Sequence, residues 1–318
     1  MSGTADPQSP SGPGGLSEIP HLRLPDAQAL FHRRAERFAA LAPGHTLQEY
    51  LELLARLAAT QHVATVTLQP ALPRALAPQR PLDAASLRRG PEWRAALTVI
   101  LDELSATEVP EESQTAFDLL TTLPPPELEA LADRVLANAV AGADLAAAAF
   151  VAAALQVYFT GLAAQLAPAA APRTRDGCPV CGSLPVVGVV LGDDKLRYLV
   201  CSLCGTQWHH TRVQCTACHE GKGLTYYELK GEQASAARLP VGYLKAEACP
   251  ACKAYTKLFY VEQGPALEPF ADDVATLALD LLMAEEGWAR HGVNLFLMPG
   301  EERIPAPHRG DHRPASGQ

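Results

Sequence analysis

Aromatic residues are scarce in this 318-residue chain: Phe, Tyr and Trp together supply 6% of it. That scarcity weighs against a core built on a large sheet. Alanine and leucine carry most of the apolar content, a bias that suits packed helices. Positive charge is short as well, since 26 Lys and Arg face 35 Asp and Glu, for a net charge of -9. Binding to a phosphate backbone needs a basic surplus, so general nucleic-acid binding is not expected. Residues 1–19 are polar and rich in Gly, Pro and Ser, without the charged-then-apolar order of a secretory signal, and a cytoplasmic location follows as an expectation. No P-loop, nucleophile elbow or HExxH motif appears, which leaves catalysis without a foothold.

There is also no unpaired cysteine. All eight fall in four CxxC motifs: Cys178 and Cys181, Cys201 and Cys204, Cys215 and Cys218, Cys249 and Cys252. Two intervening residues let one turn present both sulfurs to one ion at a metal–sulfur distance of about 2.3 Å, and two such turns complete a tetrahedron. Residues 178 to 252 are therefore expected to bind two metal ions, each held by four thiolates. A disulfide framework does not suit a reducing cytoplasm, and thiol–disulfide exchange would call for a βαβ unit that this region lacks. Four pairs combine into two sites in three ways. Sequential pairing, first with second and third with fourth, is favoured, and an alternating cross-brace is its competitor. Iron and zinc both accept tetrahedral thiolate, so the ligands leave the metal open.

From Arg173 to Tyr260 eleven Lys and Arg face seven Asp and Glu, a local surplus of +4, and the rest of the chain carries -13. Two divalent ions in eight thiolates would add -4 and cancel that surplus. Gly182 and Gly205 directly follow the second cysteine of the first two motifs, where a left-handed backbone is useful. His219 and Lys253 hold those places in the third and fourth, so less regular turns are expected there. His209 and His210 read as surface or packing residues, Trp208 as cover for a metal turn, and Arg212 as a neutraliser of thiolate charge. His45 reads as structural, and the acidic pairs at 111–112, 193–194, 272–273 and 285–286 as solvated faces.

Periodicity organises the remainder. An all-helical domain is expected over 20–170, between a polar tail (1–19) and a linker from Ala167 to Asp176 that carries Pro168 and Pro172. Its helices begin near Asp26, an N-cap candidate, and at a Thr46–Glu49 capping box running to about Gln61. Others cover Glu92–Leu104, Glu111–Thr122, Pro126–Ala139 and Leu145–Leu166, while Pro70–Pro81, with four prolines, is a loop. The last helical stretch is long and uncharged enough to cross a bilayer. Its alanine content, with Gln156, Thr160 and Gln165, favours a buried central helix, so no stable membrane insertion is expected. After the linker, Val186–Val190 and Leu196–Val200 form a hairpin, Leu224–Leu229 and Lys257–Val261 are further strands, and a final helix spans Phe270–Arg290. The expected fold is thus multidomain α+β: the helical domain, a first four-cysteine metal module (171–212), a second with the C-terminal helix (213–300), and a tail (301–318).

The run from Cys178-Pro-Val-Cys-Gly-Ser through Arg197-Tyr-Leu-Val-Cys-Ser-Leu-Cys to Trp208 and Arg212-Val-Gln-Cys-Thr-Ala-Cys resembles the formate dehydrogenase accessory protein family, FdhE. So do Lys245-Ala-Glu-Ala-Cys-Pro-Ala-Cys, Ala271-Asp-Asp-Val-Ala-Thr-Leu-Ala-Leu-Asp, Phe31-His-Arg-Arg-Ala-Glu-Arg, Gly44-His45 before Tyr50-Leu51, and Phe150-Val-Ala-Ala-Ala-Leu-Gln-Val-Tyr. The resemblance spans about residues 28 to 300 and matches all eight cysteines. It implies a non-enzymatic cytoplasmic factor that contacts the catalytic subunit of a respiratory, molybdenum-containing formate dehydrogenase and is needed for its activity. It also implies a rubredoxin-like C-terminal part with two metal ions, iron or zinc, in the four-cysteine sites. Homodimerisation is left open.

Overall fold

The computed structural model describes residues 19–140, 142–168, 176–230 and 240–298. Both expected tails, apart from Ile19, and all but the edges of the expected linker lie outside the described residues.

Six helices fill the first half: α1 (Ala27–Leu41), α2 (Gln48–Thr67), α3 (Glu92–Ser105), α4 (Glu111–Thr122), α5 (Pro125–Leu136) and α6 (Leu145–Ala163). Asp26 does cap α1, its carboxylate accepting from the backbone N–H groups of Gln28 and Ala29 at 3.1 and 3.3 Å. The capping box expected for α2 does not form, because the chain enters that helix through Leu47 with no side-chain cap. His45 takes over: its Nδ1 accepts from Leu47 N at 3.0 Å, which leaves Nε2–H to donate to Ala275 O at 3.0 Å. The structural role read for His45 is thus observed.

Helix α6 is long and apolar enough to cross a membrane, yet 78% of its most apolar window is buried inside the protein. Helices α2, α3, α4 and α5 pack around it. Apolar residues all round a helix are what such a central position demands.

The second half is a mixed sheet, larger than the composition suggested. Its strands are β1 (Leu22–Arg23), β2 (Pro185–Leu191), β3 (Leu196–Cys201), β4 (Gln207–His209), β5 (Thr225–Tyr227), β6 (Leu244–Cys249), β7 (Ala254–Tyr260) and β8 (Ala289–Arg290). They run in the order β1-β4-β3-β2-β7-β6-β5, with β8 beside β7. The β2–β3 hairpin was legible, turning at Gly192 and Lys195 with φ of 66° and 52°. Parallel pairing of β2 with β7, Gly188 opposite Leu258, joins both four-cysteine regions into one sheet.

The expected last helix is broken into α7 (Pro269–Ala275) and α8 (Leu277–Glu285). The buried Lys257 causes the break. Its ammonium donates to the carbonyls of Asp273 and Thr276 and to Thr276 Oγ1, each at 3.0 Å, capturing acceptors a continuous helix would use. Phe270, Leu279 and Met283 from the two short helices pack on Val187, Val189, Tyr198 and Phe259, on one face of the sheet.

Candidate metal centre

The eight sulfurs gather into two groups of four: Cys178, Cys181, Cys201 and Cys204, then Cys215, Cys218, Cys249 and Cys252. Sequential pairing is therefore observed and the cross-brace is not. Within each group all sulfurs lie within 4.8 Å of one another. Sulfur contacts of 3.7 Å (Cys178–Cys204) and 3.3 Å (Cys181–Cys201) cross between the two turns of the first group. In the second they are 3.7 Å (Cys215–Cys252) and 3.6 Å (Cys218–Cys249). A tetrahedron with metal–sulfur bonds of about 2.3 Å has edges of roughly 3.8 Å, so both groups are close to the shape a tetrathiolate ion requires.

Each turn is built alike. The residue after the second cysteine has positive φ in all four: Gly182 at 82°, Gly205 at 71°, His219 at 64° and Lys253 at 58°. The irregular third and fourth turns expected from His219 and Lys253 do not occur. Closure of the turn decides the conformation, since Gly182, His219 and Lys253 N–H donate to the carbonyls of Cys178, Cys215 and Cys249 at 2.9, 3.1 and 2.9 Å. Backbone N–H groups also point at sulfur, from Val180 to Cys178 (3.4 Å), Leu203 to Cys201 (3.3 Å) and Ala217 to Cys215 (3.4 Å). Such donors stabilise thiolates and tune a metal bound by them.

Burial and charge shape the thiols further. Burial, with the neighbouring sulfurs, pushes Cys178 and Cys201 well above the ordinary thiol range. For Cys181 burial acts the same way, but hydrogen bonds from Cys178, Cys201 and Cys204 overcome it and hold the thiol well below. Four buried thiols that cannot all ionise together are a donor set that a divalent ion would complete.

Other expected residues fall as follows. His209 is exposed and His210 buried, and neither joins a sulfur group. Trp208 is buried in the same packed cluster as the first four cysteines. Arg212 is exposed, and its carbonyl accepts from Arg197 Nη1 at 3.5 Å. A buried cation beside the third turn is Arg197, which pairs with Glu247 at 2.8 Å and holds that turn through Thr216 Oγ1 (2.6 Å) and Gln214 O (3.3 Å). Its side chain passes over Gly188, where an added Cβ would sit 3.4 Å from Arg197 Nε and 2.6 Å from Leu258 Cδ2.

Of the four acidic pairs, those at 111–112, 193–194 and 285–286 are exposed as expected. Asp272 and Asp273 are instead fully buried. Arg37 makes a two-pronged contact to Asp272, at 2.6 and 2.9 Å, and Tyr243 donates to the same carboxylate at 2.7 Å. Asp273 takes Arg290 at 2.7 Å, Asn294 at 2.9 Å and Lys257 at 3.2 Å. The missed signal was the surrounding apolar run, which puts both carboxylates inside and obliges them to find partners.

A helical body fused to a mixed sheet with two tetrathiolate groups defines the class: an α+β protein with a pair of four-cysteine metal sites. Comparison narrows this. Three models of the FdhE family match in order: the N-terminal part over residues 19–175, the central domain over 177–212 and the C-terminal domain over 213–297. A protein FdhE homolog of Edwardsiella ictaluri is 40% identical over 300 residues, covering 91% of this chain and 94% of the relative. The homolog from Proteus mirabilis is 37% identical over 297 residues, covering 90% of this chain and 94% of its own length. The crystal structure of the FdhE protein from Pseudomonas aeruginosa superposes with a TM-score of 0.78 at 34% identity, over 89% of this chain and 100% of that one. The chain belongs to the FdhE family of formate dehydrogenase accessory proteins.

Proposed function

We propose that this protein is a cytoplasmic, non-enzymatic assembly factor that binds the catalytic subunit of a molybdenum-containing formate dehydrogenase and is needed for that subunit to become active. Family membership together with the two tetrathiolate groups carries the reading. Cys178, Cys181, Cys201 and Cys204 hold one metal ion and Cys215, Cys218, Cys249 and Cys252 a second, as iron or zinc. Either ion would tie two turns together across the sheet and add its binding free energy to folding. Iron would in addition make each site a one-electron centre tuned by the N–H groups aimed at sulfur.

The deciding experiment deletes the chromosomal copy and assays formate dehydrogenase activity, then asks whether the tagged protein retains the catalytic subunit on affinity resin. Lost activity, restored by the wild-type chain, and co-purification of the subunit are expected. Full activity in the deletion strain would overturn the reading. Salt-sensitive retention of DNA or RNA in place of the subunit would favour a zinc-ribbon nucleic-acid binder instead.

A further inference from the structure

The two sulfur groups are alike in geometry and unlike in surroundings. At the first, all four cysteines are buried. So are the residues between them, Pro179, Val180, Ser202 and Leu203. The helical body closes over this site from three sides. The loop before α3 donates from Leu82 N to Val180 O and from Ala84 N to Cys181 O, both at 2.9 Å. From α6, Gln156 Nε2 donates to Ser202 O at 2.9 Å. From α1, Leu30 lies so near that a Cβ on Gly205 would meet its Cδ1 at 2.7 Å. A small cavity of about 130 Å³ reaches the backs of these turns at Ser183 and Ser202, but no cysteine lines it.

The second site has no such cover. Cys218 is exposed and Cys252 half-buried, and Pro250 and Ala251, between its last two cysteines, are exposed as well. Its turns are held by the sheet and the loops beside it: Arg197 Nη2 donates to Thr216 Oγ1 at 2.6 Å, His219 Nε2 contacts Asp176 Oδ1 at 3.1 Å, Gln214 Nε2 donates to His219 O at 2.9 Å, and Ala289 N donates to Lys253 O at 2.9 Å. Val213, just before the third motif, is 59% exposed. Among the described residues, no hydrogen bond links these two turns to helices α1–α6.

We propose that the two sites have separate tasks: the first is a fixed structural pin, and the second is an exchangeable site whose ion is open to an incoming soft ligand, a thiolate or an imidazole, along the Cys218–Cys252 side. Exchange there needs no opening of the fold. With an ion held there, an incoming donor would take the place of the Cys218 thiolate, and that thiolate would take a proton from water with no change of oxidation state. At the first site the same attack requires the helical body to lift away, a local unfolding event with its own free-energy cost. The inference rests on the reading that both groups hold metal.

The test loads the full-length protein with Zn²⁺ and follows release to a chromogenic pyridylazo chelator. Two ions per chain leaving in two equal phases, the second at least about 100-fold slower, are expected. Cys218→Ser should retain one ion and show only the slow phase. Two ions leaving at a single rate, or a fast phase that survives Cys218→Ser, would overturn the separation of tasks, whereas failure to bind two ions would overturn the metal reading itself. Mapping of iodoacetamide adducts on the loaded wild-type protein needs no variant. Cys218 and Cys252 should be alkylated before Cys178, Cys181, Cys201 or Cys204, and equal rates would count against the proposal.

Discussion

His210 shows how one side chain ties this fold to pH. Its ring is buried, Nδ1 contacts Thr211 O at 2.9 Å, and Nε2 has no partner among the described residues. Burial, reinforced by the nearby Arg197 guanidinium, lowers its pKa to about 3 from 6.5. The folded state therefore keeps the ring neutral, while the unfolded chain binds a proton below pH 6.5. Stability is complete above that pH and declines as pH falls from 6.5 towards 3, by about 1.4 kcal/mol per unit once the unfolded ring is protonated. Urea midpoints between pH 6.5 and 5 should fall more steeply for the wild-type protein than for His210→Gln, and parallel slopes would contradict this. Arg34 makes a second case at the same scale. It is fully buried, pairs with Glu268 at 3.1 Å, stacks over Phe270 at 3.8 Å and donates to Gln156 at 3.1 Å. Arg34→Ala would leave Glu268 buried beside no cation. A loss of about 3–5 kcal/mol in denaturant unfolding is expected, since removing one partner of a buried pair leaves the other uncompensated.

At the scale of elements, α6 does more than fill the core. Gln156 on its buried face accepts from Arg34 and from Gln61 Nε2 (3.1 Å) while donating to the second metal turn at Ser202. Gln156→Leu keeps the volume and the helix but cuts all three links. Stability should fall by about 2–4 kcal/mol as buried polar groups lose partners. Release of the more slowly lost zinc ion should also quicken, which stopped-flow chelation would detect without any ligand having been touched. The central strand β2 supplies a different sensitivity. Gly188 leaves room for Arg197 and Leu258, so Gly188→Val would force both aside at an overpacking cost of about 1–3 kcal/mol, read by thermal unfolding. An unchanged midpoint would show that the Arg197–Glu247 pair is not routed over this position.

The whole molecule was partly legible in the sequence, and the division follows the range of the forces involved. Helices α1–α6 announce themselves because apolar spacing is local, as is the Asp26 cap of α1, and four CxxC turns are local chemistry of the same kind. Strand β6, Leu-Lys-Ala-Glu-Ala-Cys, is invisible to strand propensity, since Lys and Glu disfavour it. It exists because Glu247 meets Arg197 from β3 and Tyr226 from β5. The broken last helix and the buried Asp272–Asp273 pair have the same origin, since Lys257, Arg37 and Arg290 reach them from outside the helices they alter. Joining of the two four-cysteine regions through β2 and β7 rests on partners about 70 residues apart, which no local pattern records. What the motifs record is the gathering of eight sulfurs into two groups of four; what they do not record is the ionic framework that holds those groups against the helical body.

Whether this framework presents two tetrathiolate sites for metal is decided by metal analysis and visible absorption of the full-length protein purified without oxygen from cells grown with ordinary iron and zinc. About two ions per chain are expected, with thiolate charge-transfer bands if they are iron and none if they are zinc. Protein that carries no metal, and gains none when supplied with either ion, would contradict this.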